Sequence, residues 1–463
     1  MQLFCAAIWL AHYKLGGTLM DDSTINETNG RVQGTKPTRV RIRMLALVFI
    51  CVVINYMDRS NISIVAPLLS KELNLNSMQM GLIFSAFGWT YMAFQIPGGW
   101  LVDKIKPRVL YPIMLGIWSV ITALQALIQG FTGLFGMRLA MGVLEAPSFP
   151  TNNKVVTTWF PEQERARAIS FYTSGQFVGL AFLTPVLVFI QDAFGWRGML
   201  FITGMIGILW SAVWYYFYRD PGDSTQANAA ELDYIREGGG LSNQVPKVQS
   251  SGAKPQFSWD QLKVILRTRN MWGVFIGHTC ITTTLWFFLT WFPTYLVRYR
   301  HMDFIKMGLW ASVPFIAAFI GILCSGQISD ALVRRGADIG TARKTPVIFG
   351  LLLSMSIVGA NYVQDQSLVM LFMTLAFLGN GLSSIGWTFV SAMAPAGMIG
   401  LTGGIYNFIG NSSAIFVPLI IGYLVREGNF EPAIVFIGCC ALVGVLSYLF
   451  LVRNVKRIAL PEN

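Results

Sequence analysis

The sequence predicts an all-α polytopic membrane protein of twelve transmembrane helices, arranged as two six-helix halves that are related by a pseudo-twofold axis. The chain of 463 residues is 54% hydrophobic and only 12% charged, whereas a soluble domain is about 25% charged. The apolar residues form runs that are long enough to cross a bilayer, and one long polar connection divides them six from six. A Gly-x-x-x-Asp motif also occurs at the matching point of each half, which indicates duplication.

Each predicted span approaches or exceeds the roughly 20 apolar residues that a transmembrane helix needs. The N-terminal six-helix bundle is assigned to residues 41–218 and the C-terminal bundle to residues 271–453. The spans are residues 44–69, 78–102, 109–129, 131–153, 166–191, 197–218, 271–297, 307–330, 345–362, 367–391, 400–424 and 432–453.

The distribution of basic residues predicts the orientation of the chain. If the N-terminus is cytoplasmic, the tails and even-numbered loops hold 26 of the 34 Lys and Arg residues, and the outer loops hold six. Because basic residues favour the cytoplasmic side, we expect both termini there. Residues 1–40 are predicted to be a disordered cytoplasmic tail, and residues 454–463 a second cytoplasmic tail. The net charge of +11 is interpreted as basic loops beside the lipid bilayer and not as a nucleic-acid surface.

Residues 219–270 connect the two halves on the cytoplasmic side. The composition of residues 220–255 is typical of a flexible linker. Residues 258–269 differ, because Ser258 and Gln261 fit a capping box and an apolar face follows them. We expect a short interfacial helix there, with a solvated loop helix as the equal alternative.

The duplicated motif follows the second and the eighth spans and is predicted to gate the transport pathway. Glycine permits close helix approach, and an acid at the helix end can pair with basic neighbours in one conformation. The alternative, basic residues that only follow the positive-inside rule, does not explain the repeated Gly and Asp. The motif residues are Gly99, Asp103, Lys104 and Arg108 in the first half, and Gly326 and Asp330 in the second.

Four charged residues lie deep inside predicted spans, all of them in the N-terminal half. Asp58 and Arg59 belong to the first span, and Arg138 and Glu145 to the fourth. Each charge costs about 2.5–3.5 kcal/mol at a helix centre on insertion scales, so such residues usually face a cavity or a partner. We interpret them as the lining of a transport pathway; the alternative is that they neutralise one another for packing alone.

Two carboxylates that share arginines at a site of low dielectric constant are candidates for proton coupling. Arg59 presents a planar fork that suits a substrate carboxylate. Counting residues along the spans places Arg138 near the depth of Asp58, with Glu145 deeper toward the cytoplasm. We therefore hypothesise that Arg138 is a charge-pair switch, which pairs with Asp58 in one state and swings toward Glu145 in another.

Several segments carry a family resemblance. Residues 99–108 resemble the loop signature of the major facilitator superfamily, and the two halves of six spans resemble its architecture. Residues 55–61, 142–148 and 159–167 are similar to motifs of its anion:cation symporter family. The resemblance extends from about residue 39 to residue 457, although Ala331 stands where the first motif has Lys104.

The resemblance implies that Asp58 and Glu145 are the protonation sites and that Arg59 binds an anion. The C-terminal half has no full charge inside a span, so we expect it to hydrogen-bond substrate hydroxyls. For each neutral ligand that the resemblance implies, helix–helix packing is the alternative role. These ligands are Tyr56, Tyr91, Gln176, Ser384, Trp387 and Asn407.

The sequence thus predicts a transporter of the bacterial inner membrane that imports a sugar-acid anion with protons, by alternating access and as a monomer. D-galactonate is the first choice of substrate; the alternatives are a hexarate, a hexuronate or a tartrate-like anion, or coupling to sodium. The spans contain no nucleophile–base pair or metal-ligand pattern. We therefore expect neither enzymatic activity nor a cofactor or metal.

Overall fold

The computed structural model describes residues 37–240, 259–395, 399–425, 428–453 and 455–458. Most of the predicted N-terminal tail, residue 454 and residues 459–463 lie outside these ranges. The N-terminal half is built from α1 (Val40–Glu72), α2 (Ser77–Ala93), α3 (Gln95–Lys104), α4 (Pro107–Leu124), α5 (Phe131–Glu145), α6 (Ser148–Trp159) and α7 (Glu162–Phe217). The connection between the halves contains α8 (Ala229–Glu237) and α9 (Trp259–Arg267).

We use N-terminal half and C-terminal half as names for the helices before and after this connection, and the C-terminal half begins at Arg269. Its helices are α10 (Arg269–Thr290), α11 (Phe304–Trp310), α12 (Ser312–Arg334), α13 (Ile339–Ser354), α14 (Gln366–Leu382), α15 (Trp387–Met393), α16 (Ile399–Asn411), α17 (Ser413–Leu424) and α18 (Glu431–Leu446). Shorter helical turns are Gln125–Leu127, Pro221–Asp223, Phe292–Thr294, Tyr295–Tyr299, Met355–Tyr362, Ser383–Gly386 and Ser447–Leu451.

Nine helices within the described residues are long and apolar enough to cross a membrane. The twelve predicted spans differ from these nine helices at three places. The second predicted span is divided into α2 and α3 at Phe94, and the fourth into α5 and α6 near Pro147. Conversely, α7 contains both the fifth and the sixth predicted spans, and its backbone leaves the helical region at Gly195, where φ is +71°.

The helices begin and end at two opposite ends of the bundle, which we call the tail end and the far end. The tail end holds the start of α1 and the connection between the halves: Trp159 Nε1 donates to the Arg219 carbonyl there, at 3.1 Å. The far end holds the end of α1, where Glu72 forms an ion pair with Arg197.

The two halves pack against each other toward the far end, through α2 with α17 and through α7 with α11 and α12. Arg298 of the C-terminal half donates through Nη2 to Ser70 Oγ at 2.6 Å and to the Pro67 carbonyl at 3.0 Å. At the tail end, no described residues of α3 or α6 make substantial contact with α15 or α16. The halves are therefore closed at the far end and separated at the tail end.

The connection contains the helix α8 at residues 229–237, inside the segment 220–255 whose composition predicted a flexible linker. Asn228 caps α8 by accepting from the Glu231 amide at 2.9 Å. The buried Glu231 carboxylate accepts from the backbone amides of Val40 and Arg41, at 3.0 and 3.1 Å, at the start of α1. A carboxylate is stabilised at a helix N-terminus. Composition missed this contact because its partners are about 190 residues apart in the chain.

The predicted interfacial helix corresponds to α9, which occupies residues 259–267. Its Ile265 is fully buried in a cluster of the C-terminal half that includes Met271 and Val452. Residues 241–258 lie outside the described ranges, and so does the Ser258 of the predicted capping box. The position of α9 at a membrane surface stays a prediction.

A close approach between α5 and α2 positions the charged residues of α5. A Cβ atom at Gly142 would overlap Thr90 Oγ1 and the Phe87 carbonyl of α2. Only glycine allows this spacing without a shift of one helix. Arg138 and Glu145 lie one turn to either side of Gly142 on α5.

Gly142→Ala should lower the apparent unfolding temperature of the detergent-solubilised protein, because overpacking a tight contact costs about 1–3 kcal/mol. Gly136→Ala is the matched control on the same helix, since a Cβ atom there meets nothing within 4 Å. The control should leave stability unchanged or raise it slightly. Equal unfolding temperatures in the two variants would contradict the close contact.

Candidate functional site

The four intramembrane charges gather in the interior of the N-terminal half. Asp58 and Arg59 lie near the middle of α1, and Arg138 and Glu145 lie on α5. Their exposed fractions are 1%, 8%, 3% and 0%, respectively. Charges buried to this degree need specific partners, so their contacts define what the site can do.

Glu145 is paired with Arg59. Arg59 Nε donates to Glu145 Oε2 at 2.9 Å, and Asn55 Nδ2 donates to the same oxygen at 2.8 Å. Two polar atoms of this pair, Arg59 Nη2 and Glu145 Oε1, are buried and have no hydrogen-bond partner among the described residues. The pair therefore keeps unused hydrogen-bonding capacity on both the cation and the anion.

Aromatic rings surround the Arg59 guanidinium. Its Cζ lies 5.0 Å from the ring centre of Tyr56, 4.9 Å from that of Phe87 and 4.8 Å from that of Tyr91. Cation–π attraction of this kind contributes about 0.5–2 kcal/mol per contact. The rings hold the cation in place and exclude water while leaving the edge of the fork to hydrogen-bond a carboxylate.

Asp58 has a different environment from Glu145. Its Oδ2 accepts from Trp118 Nε1 at 2.9 Å, and its Oδ1 accepts from Asn61 Nδ2 at 3.2 Å. Among the described residues, no arginine or lysine nitrogen lies within 4.0 Å of the Asp58 carboxyl. Asp58 is thus held by neutral donors, whereas Glu145 is held by a cation.

Arg138 makes neither of the two ion pairs considered for the switch. Its Nη1 lies 3.9 Å from Met141 Sδ, and its Cζ lies 5.3 Å from the centre of the Phe87 ring. Within the described chain, no carboxylate oxygen is within 4.0 Å of this guanidinium. The switching role of Arg138 stays a prediction, and Arg59 is the arginine that contacts an acid here.

The pairing of Arg59 with Glu145 was not anticipated from helix depth. Neighbouring residues on a helix point about 100° apart, so Arg59 and Asp58 turn to different partners although they are adjacent. Sequence reasoning also missed neutral partners of the acids. Asn55 and Asn61 could have been noted as amides at the two ends of the motif, whereas Trp118 and Phe87 resemble ordinary aromatic residues of apolar runs.

The remaining predicted ligands make no hydrogen bond to the charged cluster among the described residues. Gln176 of α7 and Asn407 of α16 are half-buried, and Ser384 is exposed and donates to the Gly381 carbonyl at 2.7 Å. Trp387 begins α15, and its side chain is outside the described set. The structure therefore leaves the roles of these residues as predictions.

The predicted gating motif lies at the tail end. A Cβ atom at Gly99 or at Gly326 would meet nothing within 4 Å, so neither glycine is in close helix contact in this conformation. Lys104 Nζ lies 5.8 Å from the Trp100 ring centre, and Arg108 Cζ lies 5.4 Å from that of Tyr215. The side chains of Asp103 and Asp330 are outside the described set.

Metal ligation has no support among the residues that the structure describes, because no group of three or more His, Cys, Asp or Glu side chains there could hold a metal ion. The site consists of two buried arginines, two acids in different surroundings, and a ring of aromatic and amide side chains. Such a set can bind a carboxylate and exchange protons.

Comparison with known proteins identifies the family. Residues 48–418 match the family model of the Major Facilitator Superfamily. The chain is 48% identical to a D-galactonate transporter of Escherichia coli O6:H1 over 92% of this chain and 99% of that protein. It is 40% identical to a probable galactarate/D-glucarate transporter of Escherichia coli K12 over 92% of this chain and 98% of that protein.

Solved structures share the fold. The xylose transporter XylE of Escherichia coli matches with a TM-score of 0.68 at 14% identity, over 89% of this chain and 96% of that one. A bacterial homologue of the lysosomal transporter Spinster matches with a TM-score of 0.65 at 18% identity, over 90% and 96% of the two chains. The family predicted from the motifs is confirmed: the chain belongs to the Major Facilitator Superfamily and is a multi-pass membrane transporter, not an enzyme.

Proposed function

We propose that this protein imports a sugar-acid anion together with protons, with D-galactonate as the first candidate substrate. The observation that carries the proposal is Arg59, a buried cation that is held by three aromatic rings and bonded to Glu145 through one edge only. The names of the relatives support the substrate class, since they transport D-galactonate or are described as probable galactarate/D-glucarate transporters.

Substrate binding is proposed to begin at Arg59. The guanidinium fork matches a carboxylate in shape and stays charged at physiological pH. The unpartnered Nη2 atom can donate to a new anion, and Nε is shared with Glu145. A substrate carboxylate that takes both edges of the fork displaces Glu145 from Arg59.

Proton coupling follows from that displacement. Glu145 without Arg59 would be an uncompensated charge in the protein interior, which costs several kcal/mol. A proton on Glu145 removes this charge, so anion binding and protonation favour each other, and the coupling is reciprocal. Asp58 supplies a second proton site, and import of a monovalent anion with two protons would carry net positive charge.

Recognition of the substrate hydroxyls is assigned to neutral side chains of both halves. Tyr56 and Tyr91 flank the Arg59 fork and present phenol groups beside it. Further ligands are proposed in both halves: Gln176, Ser384, Trp387 and Asn407. A sugar acid, with one carboxylate and several hydroxyls, matches a site with its cation in one half and its neutral ligands spread over both.

The proposed topology places the tail end, with both termini, in the cytoplasm of a bacterial inner membrane. Twelve spans are proposed, with α2 and α3 forming the second, α5 and α6 the fourth, and α7 the fifth and sixth. The conformation described then opens toward the cytoplasm. Alternating access would separate the far-end contact of Arg298 with Ser70 and close the tail end through the duplicated motif, within a monomer.

A second candidate substrate is a dicarboxylate such as a hexarate, because relatives at 40% identity are described as probable galactarate/D-glucarate transporters. Substrates of a third kind would be a hexuronate or a tartrate-like anion, and sodium could replace the proton as the coupling ion. Uptake measurements distinguish these candidates directly.

The test of the proposed function is uptake of labelled D-galactonate into proteoliposomes under an inward proton gradient or an inward sodium gradient. Accumulation that requires the proton gradient and is abolished by an uncoupler is the expected result. Accumulation of galactarate but not of D-galactonate would identify a hexarate, the second candidate, as the substrate. A requirement for the sodium gradient would overturn proton coupling.

Glu145→Gln should abolish accumulation driven by a proton gradient while preserving binding and substrate exchange, because the amide mimics a permanently protonated acid. Proton-driven uptake and counterflow are measured in the same preparation. Glu72→Gln is the matched control, since Glu72 pairs with Arg197 at the far end and is remote from Arg59. Normal accumulation in Glu145→Gln would contradict the role of Glu145 as a proton site.

A further inference from the structure

The environment of Asp58 is built from three helices. Trp118 of α4 donates to one carboxyl oxygen and Asn61 of α1 to the other, at 2.9 and 3.2 Å. Asn61 Nδ2 also lies 2.9 Å from Thr203 Oγ1 of α7. Asp58 is thus positioned by neutral groups on α1, α4 and α7.

Trp118 lies inside the N-terminal half. The side chain is fully buried, and its backbone carbonyl accepts from Thr122 Oγ1 at 3.1 Å. A buried indole N–H requires an acceptor, and Asp58 is the acceptor here. The indole therefore fixes the direction of the Asp58 carboxyl as well as satisfying its own donor.

Charged groups act on Asp58 from α1 and α5. Arg138 and Glu145 of α5 are close enough to act on Asp58 electrostatically, and Arg59 is its neighbour on α1. Trp118 of α4, which contacts Asp58, and Thr203 of α7, which contacts Asn61, carry no charge. Trp118 is consequently a neutral contact of Asp58 that can be changed without altering the charge of the site.

We propose that Trp118 is a positioning residue that sets the pH at which Asp58 exchanges its proton during transport. The inference rests on the proposed function, in which Asp58 is a proton site. Hydrogen bonds donated to a carboxylate stabilise its charged form. Loss of the indole donor therefore makes Asp58 retain its proton to a higher pH, while Arg59 and Glu145 keep their contact.

Trp118→Phe removes the N–H donor and keeps an aromatic ring. We expect the pH at which proton-driven uptake is half-maximal to rise by about one unit, with the substrate KM at low pH unchanged. Trp214→Phe is the matched control, because Trp214 is a fully buried tryptophan of the same half that donates to the Pro107 carbonyl at 3.2 Å. The control should keep the wild-type pH profile.

Infrared titration of the Asp58 carboxyl, assigned by its loss in Asp58→Asn, provides a readout without transport. The pH at which the Asp58 carboxyl is half-protonated should rise by the same amount in Trp118→Phe. If Trp118→Phe does not fold, Asn61→Ala takes its place and should show the same rise. The role of Trp118 would be overturned if the pH of half-protonation of Asp58 did not change in Trp118→Phe, or if it changed equally in Trp118→Phe and Trp214→Phe. Absence of wild-type D-galactonate uptake would count against the proposed function instead, because the infrared result is independent of the substrate.

Discussion

The ion pair between Arg59 and Glu145 is the interaction on which the rest of the site depends. Burying two charges is costly even when they are paired, and removal of one partner of a buried pair typically costs about 3–5 kcal/mol. The N-terminal half supplies the compensation through Asn55 on the carboxylate and aromatic rings around the guanidinium. These contacts use only part of the fork. The arginine is thus stable enough to stay buried and still available to a second anion.

Competition for one arginine gives a physical account of coupling. In the proposed function, Glu145 and a substrate carboxylate compete for the same donors of Arg59, so the site would not hold both as anions at low cost. Asp58 is separated from this competition because its partners, Trp118 and Asn61, are neutral. Two acids within one buried cluster can thereby respond to different events, one to substrate and one to the proton supply. The halves are packed at the far end and separated at the tail end, and the proposed alternating access would reverse this arrangement.

Much of this arrangement is visible in the sequence. Charges inside apolar runs, the duplicated motif and the division into halves identify the transporter class, because their cost in a membrane is large and their pattern specific. The partner of Arg59 is not visible, since depth counting ignores the direction in which a side chain leaves its helix. The role of Trp118 is not visible for a different reason. In an apolar run, a tryptophan that donates a hydrogen bond to an acid has the same sequence pattern as one that only packs in the core.

Contacts between residues far apart in the chain explain other differences between the sequence-based predictions and the structure. Composition predicts a flexible linker at Glu231, yet its carboxylate binds the backbone amides at the start of α1, about 190 residues away in the chain. Helix length likewise depends on local breaks, which a hydropathy average over many residues does not detect. Examples are the non-helical backbone at Gly195 and the division between α5 and α6 near Pro147. In each case a single residue decides the local structure, and its effect depends on what the folded chain brings beside it.

The measurement that tests competition for Arg59 most directly is proton uptake on substrate binding. Purified protein in weakly buffered solution with a pH indicator is titrated with D-galactonate. The account predicts that protons are taken up in proportion to binding, because Glu145 is neutralised as the anion takes Arg59, and that Glu145→Gln binds without this uptake. Binding without proton uptake in the wild-type protein, or undiminished uptake in Glu145→Gln, would contradict it.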